Sequence, residues 1–97
     1  MTTSPTSEPV RAILRVKADS ESKKVAGAIA GELRQFPSVE LQVVGAGAVS
    51  QAVKAIIIAR GYLAPSGFDL TCAPAFFATT NGGKEWTGIR FVVVRTA

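Results

Sequence analysis

Residues 39–61 read VELQVVGAGAVSQAVKAIIIARG, and this stretch decides the fold. Val39, Leu41 and Val43 alternate with Glu40 and Gln42, the period of two expected for a strand over Val39 to Val44. Gly45-Ala46-Gly47 then breaks the alternation. From Ala48 the period changes: Val49, Ala52, Val53, Ile56 and Ala59 recur at three- and four-residue steps, one stripe of a helix facing a sheet. Gly61 stands where a left-handed C′ residue would end that helix. Strand, glycine turn, helix is therefore the central unit.

Upstream, Val10, Ala12, Leu14 and Val16 alternate with Arg11, Ile13, Arg15 and Lys17, predicting a strand with one wetter face. Asp19-Ser20-Glu21-Ser22 supplies N-cap candidates for a first helix. Its stripe is Val25, Ala26, Ile29, Leu33 and Phe36, and Pro37 stops it. Downstream, Ala64-Pro65-Ser66-Gly67 is a turn cluster. A third strand runs from Phe68 to about Phe77, with Pro74 marking it as an edge or a bulge. Asn81-Gly82-Gly83-Lys84 reads as a hairpin turn before a fourth strand, Trp86 to Arg95. The order is β-α-β-α-β-β. Right-handed crossovers would place both helices on one face of a mixed four-stranded sheet, giving an α/β two-layer sandwich.

Composition narrows the functional classes. The chain has 97 residues, enough for one core, with 47% hydrophobic and only 19% charged side chains. Such a surface is expected to carry apolar area and to form a homodimer or higher homo-oligomer. Eleven Lys and Arg against seven Asp and Glu leave +4, compatible with DNA or RNA. With no histidine and one cysteine, Cys72, the chain lacks the usual base for a nucleophile and any cysteine zinc cluster. No metal, cofactor or catalytic set is expected; Glu32 and Glu40 have no evident partner, Asp69 is expected to be exposed, and Cys72 is expected to be a buried small hydrophobe. Residues 1–9 are expected to be a disordered tail before a domain over 10–97. Nothing at Met1–Pro5 marks secretion and no apolar run is long enough for a membrane, so a cytoplasmic location is expected.

Lys23–Gly31 (KKVAGAIAG), Val44–Ala55 (VGAGAVSQAVKA) and Ile58–Gly67 (IARGYLAPSG) resemble the stage V sporulation protein S family, a likeness running from Val10 to Arg95. That family is similar in fold to Alba, a chromatin protein. The resemblance implies an Alba-like, dimer-forming, non-enzymatic regulator associated with sporulation or related bacterial development. Through Alba it also implies nucleic-acid binding. Alba proteins that bind DNA carry basic residues before and at the start of the second helix, whereas Gly45 to Gln51 here bears no charge. The phosphate contacts would fall instead to Lys17, Lys23, Lys24, Lys54 and Lys84.

Each candidate also has a plainer reading. Gly45, Ala46 and Gly47 precede a helix N-terminus and offer backbone donors for a phosphate, or else simply allow a tight turn. Lys23, Lys24, Gly27, Gly31 and Arg34 share the outer face of the first helix. That face is either a smooth basic ridge for a phosphate backbone or a surface packed on the second helix or another subunit. Arg11, Arg15 and Lys17 are solvated strand charges or a track for a single strand, which would need stacking aromatics. Trp86, Phe76 and Phe77 lie near the last hairpin but are read first as core or interface residues. On the second helix Ile58 is expected opposite the core stripe, fully exposed in a monomer. Val49, Ile57 and Ile58 are therefore assigned to an oligomer interface.

Overall fold

The computed structural model describes residues 11–96. The elements are β1 (Ala12–Val16), α1 (Ser22–Gln35), β2 (Ser38–Val43), α2 (Ala46–Leu63), a 3-10 turn (Ala64–Ser66), β3 (Asp69–Asn81) and β4 (Lys84–Thr96). The sheet order is β1-β2-β4-β3, with β1 and β2 parallel and the β2–β4 and β4–β3 pairs antiparallel. This is the expected β-α-β-α-β-β mixed sheet. The first strand begins at Ala12; Val10 and the tail 1–9 lie outside the described residues.

The core forms where both helices cover one sheet face. Val39, Leu41 and Val43 are buried there with Val93 and Phe91 of β4, against Ala26, Ile29, Ala30 and Leu33 of α1. The α1 stripe departs from expectation at its end, because Phe36 lies beyond the helix as an exposed C-cap. Arg95 finishes that end instead, its Nη1 donating to the Leu33 carbonyl at 2.9 Å and satisfying one orphan acceptor. At the other end, Ser20 does not cap α1. Its Oγ accepts from Lys17 N and its own N donates to Lys17 O, tying the β1–α1 loop into a closed turn.

The stripe expected on α2 is corrected by rotation. Ala48, Ala52, Ala55, Ala59 and Leu63 are buried, while Val49 and Ile56 sit at the margin and Val53 is 41% exposed. The helix is apolar almost all round, so hydrophobicity alone gives no clear direction. The alanine column lets α2 approach α1 closely, and packing at that distance decides the rotation. Ile58, expected to be exposed, is half-buried and packs against the core; its neighbour Ile57 is 64% exposed.

Gly61 does not end α2 either. The helix continues to Leu63, which is fully buried, and the left-handed residue is Gly67, at φ 81°, after the 3-10 turn. Burying a leucine is worth about 1.5–3 kcal/mol, more than the ~1 kcal/mol a helical glycine costs.

Pro74 sits in β3, which is an edge strand, as the missing N–H requires. Both hairpin strands run longer than expected, pairing from Asp69–Thr96 to Asn81–Lys84. Gly82 and Gly83, at φ 63° and 77°, make the two-residue turn. The exposed Cys72 corrects the expectation of a buried thiol; it lies on the helix-side face of β3, where neither helix reaches far enough to cover it.

Candidate nucleic-acid interface

Several of the candidate residues lie toward one end of the molecule because β1 and β2 are parallel. Both strands deliver their C-termini to that end, and α1 and α2 begin there. The β3–β4 hairpin projects past it, since β4 runs antiparallel to β2 and extends five residues before Ile89, the partner of Val43. Lys17 follows the last residue of β1, Lys23 and Lys24 stand in the first turn of α1, Gly45 is the N-cap of α2 with Ala46 and Gly47 in its first turn, and Lys84 starts β4. Lys54 is one step further along α2. Its Nζ donates to Gln51 Oε1 at 3.5 Å, and Gln51 Nε2 donates to the Ser20 carbonyl at 2.6 Å, linking α2 to the β1–α1 loop.

The cations divide into those with protein partners and those without an ion pair. Arg11 donates to Ser38 Oγ and faces the buried Glu40 carboxylate at 3.8 Å, and Arg60 pairs with Asp69 at 2.7 Å. Arg34 donates to the Tyr62 carbonyl, and Arg95 closes α1 and lies over the Phe68 ring. Four arginines are thus structural. Among the described residues, Lys17, Lys23, Lys54 and Lys84, with Arg15 and Arg90, make no ion pair, while Lys24 has only an exposed one with Glu21 at 3.5 Å. Glu40 and Asp69 both have the partners that the sequence did not reveal. The Arg60 guanidinium and the Leu70 N–H hold the Asp69 carboxyl below its ordinary pKa, and partial desolvation raises the Cys72 thiol, leaving it a poor nucleophile.

The glycine loop is open. Gly45 has φ 94°, and no side chain caps α2, so the first amides point outward with the positive end of the helix. Gly47 needs a different explanation from a turn. A Cβ there would stand 2.9 Å from the Ala18 Cβ, so the glycine allows the β1–α1 loop to press against α2 beside Lys17. The α1 glycines show the opposite. A Cβ on Gly27 or Gly31 would meet nothing within 4 Å, so that face does not pack on α2.

The stage V sporulation protein S (SpoVS) family model matches residues 12–96. The chain belongs to that family. Alba from Thermoplasma volcanium shares the fold, with a TM-score of 0.58 at 12% identity, covering 88% of this chain and 99% of the other. The SpoVS match includes both helix starts and the hairpin, so the convergent end lies wholly inside the family domain.

Two features of this SpoVS-family chain were not among the expectations from its sequence. Alternation along β3 parts the two phenylalanines: Phe76 is 78% exposed on the helix side, and Phe77 lies on the opposite, uncovered face. Trp86 is on that uncovered face too, 45% exposed. None of the three rings enters the core. The second feature is a cleft of about 610 Å³ on the uncovered face, between the end of β1 and the hairpin. Among the described residues no group of His, Cys, Asp and Glu side chains is placed to hold a metal ion, and no helix is long and apolar enough to cross a membrane.

Proposed function

We propose that this chain is a cytoplasmic, non-enzymatic regulator, working as a homodimer, that binds DNA or RNA through the phosphate backbone in sporulation or related bacterial development. The observation that carries this reading is that Lys17, Lys23 and Lys24 lie toward the end of the molecule where α2 starts without a side-chain cap, with Lys84 at the tip of the hairpin that projects past it. Lys54 extends the same positive region, and the Gly45, Ala46 and Gly47 amides add donors. No helix presents a cluster of Arg, Asn and Gln for base edges, so recognition does not depend on sequence.

A salt series tests it. Binding of mixed-sequence duplex DNA is expected to weaken with a log–log slope near about −3.6 if four phosphates are contacted, a loss of about a hundredfold between about 50 and 200 mM salt. Absence of binding to either DNA or RNA at the low end would overturn the reading. A second reading, an assembly module that never meets nucleic acid, is favoured by a separate observation. The start of α2 (Ala46, Val49) and the hairpin (Phe76, Thr87, Ile89) border an apolar groove, and Val53 and Ile57 lie exposed further along α2. In the first reading that same groove holds the second subunit.

A further inference from the structure

We propose that the cleft on the uncovered sheet face holds an unstacked base of a single-stranded nucleic acid, with Trp86 as the stacking platform. This rests on the nucleic-acid reading above and names the strand form that the site takes.

The cleft exists because the hairpin outruns the rest of the sheet. β1 and β2 end level, at the Val16–Val43 pair, while β4 runs five residues beyond that level on one side and the β1–α1 loop starts at Lys17 on the other. The position between them is vacant. Arg15 and Lys17 form one wall, Phe77, Asn81 and Trp86 the other, and Gln42 lies on the floor. Gln42 is held by its own hydrogen bond to Glu40, Nε2 donating to Oε2 at 2.8 Å. Phe77 is fixed across Gly88, where a Cβ would stand 2.5 Å from its ring, so one aromatic is a rigid support and the other stays half-exposed. Lys84 Nζ lies over the Trp86 ring, 5.8 Å from its centroid.

Among the described residues no carboxylate lines the cleft. Its volume falls within the roughly 300–1,000 Å³ of small-ligand sites. Aromatic rings beside cations that follow a phosphate chain are what single-strand binding requires, because stacking accepts any base and the cations hold the backbone. A duplex keeps its bases stacked inward, out of reach of a concave sheet face, so the ring adds affinity only for an unpaired strand.

Trp86 is the only tryptophan, so its emission reports the cleft directly. A short mixed-sequence single-stranded oligonucleotide is expected to quench it, and the same sequence as a duplex is not, although both bind. By anisotropy with labelled oligonucleotide, Trp86→Leu should weaken single-strand binding by about 5- to 150-fold and leave duplex binding within about twofold. Trp86→Phe should retain most of the affinity, and it carries the test with the quenching if Trp86→Leu does not fold. Unchanged single-strand affinity in a folded Trp86→Leu, or absence of quenching in the native chain on binding, would overturn the stacking site and leave backbone binding standing. Quenching saturated by a nucleoside monophosphate at the oligonucleotide's own concentration would also overturn it, in favour of a free-nucleotide pocket. Failure of both strand forms to bind at low salt would overturn this site and the proposed function together.

Discussion

Gly88→Ala should lower the stability of the fold by about 1–3 kcal/mol, the cost of forcing a methyl group into a filled space. For a domain of this size each of those kcal/mol lowers Tm by about 4–8 °C. The added Cβ would stand 2.6 Å from the Val43 carbonyl oxygen and 2.5 and 2.8 Å from two carbons of the Phe77 ring. The carbonyl belongs to the end of β2 and cannot rotate away as a side chain can. Phe77→Ala removes the ring but leaves that carbonyl, so Gly88→Ala should cost less in a Phe77→Ala background without becoming neutral. The interaction between the two sites is the measurable quantity. Thermal melts of the four chains check it, and an unchanged Tm for Gly88→Ala would contradict the packing described at the hairpin.

Ile57→Asp should shift a dimer to monomer, weakening the dimer constant by at least about a hundredfold, because two apolar contacts are lost and two carboxylates must be desolvated. Ile57 is 64% exposed in the single chain, so the substitution has little to disturb in the monomer fold. It lies on the exposed side of α2, near Phe68 and the start of β3, on a chain with few charged residues. Ile58→Asp would be a poorer probe. Ile58 packs against the core, and a buried carboxylate there would destabilise the subunit itself. Sedimentation equilibrium of wild type and Ile57→Asp, with circular dichroism to confirm folding, reads the result. A monomeric wild type, or a variant of unchanged mass, would contradict this interface.

The sequence was most legible where local chemistry has one solution. The change from a period of two to a helical period across Gly45–Gly47 defines β2 and α2, and Asn81-Gly82-Gly83-Lys84 defines the hairpin because paired glycines suit its two positive φ values. Counting back along that hairpin pairs Thr79 with Trp86 and Phe77 with Gly88, so the shared face of Trp86 and Phe77 was within reach of the sequence. The cleft beside them was not, since it depends on how far the hairpin runs past the level ends of β1 and β2. The rotation of α2 was hidden for a different reason. Alanines carry little hydrophobic signal, and only the distance between α1 and α2 makes their column the buried one. The lysines were identified by charge, but their convergence follows from the parallel pairing of β1 with β2. Glu40 and Asp69 gained their arginine partners from tertiary structure, beyond any local motif.

The central claim is that nucleic acid docks at the end where β1, β2 and the hairpin meet. Amide chemical-shift mapping during titration with an oligonucleotide tests it most directly. The account predicts shifts at Lys17, Ala18, Gly45 to Gly47 and Asn81 to Trp86, with none at the opposite end around Phe36 and Gly67. Shifts confined to that opposite end, or to the groove between α2 and β3, would contradict it.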